Sequence, residues 1–71
     1  MYRNLKLIRL DRRETQQQIA DKLGITRAYY TLIEGGNREI TSDIALQLAD
    51  YWNTSTDVIL GRKPYKSKTA A

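Results

Sequence analysis

The chain has 71 residues, a formal net charge of +4, and neither cysteine nor histidine. That length makes one small domain with a thin core, since a chain of this size buries only roughly 60% of the surface its unfolded form exposes. The missing residue types exclude disulfide staples and thiolate metal sites, and they remove the side chain that most often titrates near neutrality. No apolar run approaches the ~20 residues needed to span a bilayer. The N-terminus lacks the apolar stretch of a signal peptide, so a cytoplasmic location is expected.

The charge is unevenly distributed. Residues 1–38 carry eight basic and four acidic side chains, residues 39–61 carry four acidic and no basic ones, and residues 62–71 add Arg62, Lys63, Lys66 and Lys68. A polyanion would meet the basic front of such a molecule. The plain alternative is an ordinary solvated surface.

The pattern predicts five helices. The first covers about 3–12, with Leu5 and Ile8 three apart on one face and Leu10 a further apolar candidate. Thr15 is a helix N-cap, and Ile19, Ala20 and Leu23 then keep the helical period. Gly24 stands where a left-handed backbone is cheap. Thr26 caps the third helix, in which Tyr30 and Ile33 should face the core. Residues 34–39 form a loop by composition. Thr41 or Ser42 caps a fourth helix with Ile44, Ala45, Leu48, Ala49 and Trp52 on its apolar face, broken at Asn53 and Thr54. Ser55 caps a short fifth helix containing Val58, Ile59 and Leu60, ended by Gly61. The expected division is a domain over 1–61 and a basic, flexible tail over 62–71.

Two short helices around Gly24, the second polar at its start with Arg27 in its first turn, have the shape of a helix-turn-helix. The ordered series Leu5-x-x-Ile8-Arg9, Thr15-Gln16-x-x-Ile19-Ala20-x-x-Leu23-Gly24-Ile25-Thr26, Tyr30, Ile33-Glu34-x-Gly36-x-Arg38, Leu48-Ala49 and Val58-Ile59-Leu60-Gly61 resembles the lambda-repressor-like helix-turn-helix family, of the Cro/CI or XRE type. The resemblance covers about residues 4–61. It implies an all-α, five-helix domain that binds double-stranded DNA, commonly as a homodimer on a near-palindromic operator; the expected role is a repressor that occupies its operator, with activation left open.

By the same resemblance Arg27, Ala28, Tyr29, Thr31 and Leu32 occupy the outward positions of the recognition helix. Arg27 is the first candidate for base readout, because a guanidinium can bond two acceptors on guanine; otherwise it is a solvated arginine. Gln16 and Thr26 are phosphate-contact candidates near helix starts, where free N–H groups suit an anion. Asn37 and Arg38 follow the recognition helix and could clamp the DNA backbone, and Arg38 has the alternative of pairing with Asp43. Arg9 and Glu34 match a structural ion pair of the family.

Several positions depart from the family pattern. Arg13 stands where glycine is common and Glu14 where an apolar residue is common, so the first interhelix turn could be rebuilt, with Arg12 and Arg13 adding phosphate contacts. Ile40 stands in place of a proline. Tyr30 replaces an aliphatic residue and brings a hydroxyl that needs a partner or water. Trp52, Val58, Ile59 and Leu60 are the candidate dimer surface, although helices four and five need the same residues for the monomer core.

Competing classes are few. A protein-interaction module such as an antitoxin or anti-repressor, with a protein partner, would use the same fold. An enzyme is not expected: there is no nucleophile–base set, no glycine-rich phosphate loop and no metal-ligand cluster, and no cofactor or metal is implied.

Overall fold

The computed structural model describes residues 3–66. Its elements are α1 (Arg3–Asp11), α2 (Gln16–Leu23), α3 (Arg27–Glu34), α4 (Ser42–Tyr51) and α5 (Thr56–Ile59). The architecture is all-α and agrees with the expected five-helix order. Residues 67–71, with Lys68 of the expected basic tail, lie outside the described residues.

Each helix from α2 onward starts on a hydroxyl. Thr15, Thr26, Thr41 and Ser55 are N-caps, and each side chain accepts from a backbone N–H of the first turn. At α2 the cap is reciprocal: Gln18 N donates to Thr15 Oγ1 at 3.1 Å, and Thr15 N donates to Gln18 Oε1 at 2.7 Å. Two otherwise orphaned donors are thereby satisfied.

The helix ends share a motif as well. After α2, Gly24 takes φ +70°, its N–H bonds to Asp21 O, and Ile25 N reaches back to Ala20 O at 3.0 Å. This paired closure needs a left-handed residue, which glycine adopts without a Cβ clash. After α1 the same closure is built on Arg13 at φ 55°, with Arg13 N bonded to Leu10 O and Glu14 N to Arg9 O. The α1–α2 turn thus has the same closure as the end of α2, with a non-glycine residue carrying it. Asn53, at φ 52°, closes α4 similarly.

The core contains Leu5, Ile8, Ile19, Ala20, Tyr30, Ile33, Ile44, Ala45, Leu48, Ala49, Trp52 and Ile59. Leu10, a candidate apolar position from its sequence, is 48% exposed. Ile40 packs against the core from the α3–α4 loop. Tyr30 is fully buried, and its hydroxyl lies beside the Glu34 carboxylate without reaching full hydrogen-bond geometry. Burial first, and then the charge of Glu34, raises the Tyr30 pKa far above the usual tyrosine value.

The C-terminal segment is tied to α1. Asn4, a buried polar residue, donates from Nδ2 to Val58 O and to Lys63 O, both at 2.9 Å. Tyr65 packs against the core and donates its hydroxyl to Asp11 Oδ2 at 2.7 Å. Residues 62–66 thus lie along α1 at the start of the expected tail.

Candidate nucleic-acid interface

The amphipathic pattern of α3 sets its orientation. Tyr30, Ile33 and Glu34 are buried, while Arg27, Ala28, Thr31 and Leu32 are exposed. Beside them lies an open hollow of about 600 Å³ lined by Gln17, Arg27, Ala28, Thr31 and Leu32. A second hollow, of about 590 Å³, runs from the α1–α2 turn to the start of α3 and also includes Gln17 and Arg27. Arg13, Thr15 and Gln16 line it too. The two hollows form one surface that brings together four of the five candidate base readers with Arg13 and Gln16. Gln17, next to the phosphate-contact candidate Gln16, borders both.

A buried ion pair holds α3 from behind. Arg9 Nε donates to Glu34 Oε2 at 3.0 Å and Nη2 to Oε1 at 2.8 Å, a two-pronged contact between side chains only 11% and 5% exposed. Arg9 Nη1 also donates to Glu14 O at 3.0 Å, which fixes the α1–α2 turn to the same guanidinium. Burial opposes ionisation of Glu34, polar contacts from Arg9, Tyr30 and Gln16 favour it, and the balance holds its carboxyl below the ordinary value.

Gln16 is oriented at both ends of its amide. Its Nε2 donates to Glu34 Oε1 at 3.3 Å, and its Oε1 accepts from the Thr31 hydroxyl at 2.8 Å. The side chain braces α2 against α3, so Thr31 offers its methyl group and hydroxyl lone pairs rather than a free donor. Thr26 Oγ1 accepts from Tyr29 N at 3.1 Å, which leaves its own O–H available to an acceptor.

Four contact candidates sit differently. Tyr29 is half-buried, and the Arg38 guanidinium lies over its ring at 5.9 Å, a cation–π geometry at the edge of the surface. Asp43, the acid considered for Arg38, instead accepts from Gln47 at 3.2 Å. Arg12 turns toward α4, where its Nη2 donates to Trp52 O at 3.4 Å. Asn37 is exposed in the loop after α3. Of the candidate dimer surface, Trp52 and Ile59 are only 5% and 0% exposed, so the monomer core absorbs them and leaves only Val58 and Leu60 half-buried.

A short helix with a solvated face, braced from behind and joined through a tight turn to a capped partner helix, defines a helix-turn-helix module. A family model described as helix-turn-helix matches residues 5–59, and the chain belongs to the lambda-repressor-like helix-turn-helix family, of the Cro/CI or XRE type. It is 42% identical over 57 residues to the uncharacterized HTH-type transcriptional regulator YqaE of Bacillus subtilis (strain 168), a match covering 80% of this chain and 49% of that protein. It is 32% identical over 71 residues to the uncharacterized HTH-type transcriptional regulator YqaF of the same organism, covering 94% of this chain and 93% of the relative. The chain thus spans about half the length of YqaE and nearly all of YqaF. No solved structure matches it significantly. Among the described residues no helix is long and apolar enough to cross a membrane.

Proposed function

We propose that the protein is a transcriptional regulator that binds double-stranded DNA by placing α3 in the major groove, and that it represses by occupying a near-palindromic operator as a homodimer. The observation that carries this reading is the exposed row Arg27, Ala28, Thr31 and Leu32, continuous with Gln17 and Arg13. Arg27 is placed to read a guanine edge, a contact worth roughly 1–3 kcal/mol of discrimination, and Ala28 and Leu32 suit thymine methyl groups. Arg13, Thr26, Asn37 and Arg38 position the domain on phosphates, and Gln16 serves both as brace and as phosphate contact. The names of the two Bacillus relatives support the regulatory role.

One domain covers one half-site, and a dimer would read two half-sites about 34 Å apart along the duplex. The test is selection from random duplex DNA at near-physiological salt, followed by sedimentation of the selected complex. A palindromic consensus bound by two chains is the expected outcome. Diffuse binding that vanishes with added salt would overturn the operator reading.

A further inference from the structure

The chain does not leave the domain at Gly61. Arg62 N and Lys63 N both donate to Asp57 O, at 2.8 and 3.3 Å. Asn4, in the first turn of α1, then holds Lys63 O, and Asp11, the last residue of α1, holds the Tyr65 hydroxyl. Asn4 and Asp11 are seven residues apart, so they share one face of the helix. The segment therefore crosses that face in the direction of α1, from its first turn to its last. Pro64 stands between the two anchors, and proline fixes its own φ and favours extended backbone at the residue before it.

The Tyr65 anchor has two parts. Its ring packs against the core and shares a hollow of about 230 Å³ with Ile8, Arg12, Trp52 and Thr54. Its hydroxyl donates to a carboxylate at the C-terminus of a helix, where the helix dipole disfavours negative charge and a donor offsets it. Asp11 lies two residues before Arg13, which borders the same hollow as Arg27. Lys66 directly follows Tyr65 and is exposed. The latch thus delivers a cation to the end of α1 that adjoins the surface built on α2 and α3. A lysine is a point charge on a long flexible stem, which suits a phosphate rather than a base edge. We propose that residues 62–66 form a latched arm, positioned by Asn4 and by the Tyr65–Asp11 bond, that carries Lys66 onto a backbone phosphate next to the one contacted by Arg13. Resting on the DNA reading above, this contact adds to the interface an element beyond residues 5–59, the stretch matched by the family model.

The test scans the selected duplex with neutral methylphosphonate linkages, one at a time, against the full chain. Comparison with Arg13→Gly marks the linkages that Arg13 contacts. In the natural protein a linkage beside those should also weaken binding when neutralised. Lys66→Ala should erase that sensitivity and lower the salt slope of log K by about one per bound chain, and Lys66→Arg should restore both. Tyr65→Phe keeps the ring and removes the latch hydroxyl; it should erase the same sensitivity and leave that at the Arg13 linkages in place. An unchanged footprint and slope in Lys66→Ala would overturn the proposal. So would a Lys66-dependent linkage at the Asn37 and Arg38 end of the surface, or a footprint that Tyr65→Phe leaves intact. Arg27→Ala reads α3 independently, so loss of affinity with that variant but not with Lys66→Ala refutes the arm and leaves the DNA reading standing.

Discussion

The carboxylate of Glu14 accepts a hydrogen bond from the indole Nε1 of Trp52 at 2.9 Å, joining the α1–α2 turn to the end of α4. Its other oxygen accepts from the Tyr51 hydroxyl, which raises the pKa of that tyrosine. An apolar side chain is usual at this place in the family, and here polar contacts with two aromatic residues supply the tie. Glu14→Ala should cost about 1–3 kcal/mol, because it strands the N–H of a buried tryptophan. The check is thermal unfolding followed by tryptophan fluorescence, and an unchanged midpoint would deny the tie.

Arg13 separates stability from DNA contact. At φ 55° its backbone is strained for any residue with a Cβ, by about 1–2 kcal/mol. Arg13→Gly should therefore raise the melting temperature by several degrees. The same change should weaken DNA binding and reduce the salt slope of log K by about one. Unfolding and a salt titration of binding on the same variant read the two effects.

The Arg9–Glu34 pair is buried on both sides, so removal of one partner leaves an uncompensated charge. Glu34→Ala should lose about 3–5 kcal/mol, a large part of the stability of so small a domain. The folded Glu34 pKa lies below its ordinary value of 4.5. Its contribution is therefore full above about pH 4.5 and disappears as pH falls through the depressed folded value. Denaturant midpoints measured from neutral pH downward should show this acid-side loss in the natural chain, and Arg9→Met, which removes the main cause of the depression, should reduce it.

The buried Tyr30 hydroxyl falls short of full hydrogen-bond geometry but lies beside the Glu34 carboxylate, which it helps to keep ionised. Its replacement by phenylalanine should shift stability by no more than about 1 kcal/mol, because removing the desolvated oxygen offsets the loss of that contact, and it should raise the Glu34 pKa. Denaturant unfolding of Tyr30→Phe gives the sign directly.

The helix starts were legible because each is a local event: a hydroxyl residue before an amphipathic run, as at Thr15, Thr26, Thr41 and Ser55. The ion pair was legible only by resemblance, because Arg9 and Glu34 are 25 residues apart and nothing local links them. Two features were not legible for physical reasons. A left-handed turn at Arg13 runs against the residue's own preference and is imposed by the closure of α1 and by the anchoring of Glu14. The Glu14–Trp52 bond spans 38 residues and depends on tertiary packing. Arg12 was grouped with Arg13 by adjacency, yet the turn sends its side chain to the Trp52 carbonyl. On α3 the exposed row was legible by resemblance, while Tyr29 differed because its ring packs against the core, with Arg38 over it.

Base reading by Arg27 is tested by comparing the natural chain with Arg27→Ala in binding to the selected duplex and to a scrambled duplex of equal length. The variant should keep its fold and its affinity for the scrambled duplex, and lose about tenfold or more on the selected one. An equal loss on both duplexes would make Arg27 a phosphate contact. No loss on either would remove it from the interface.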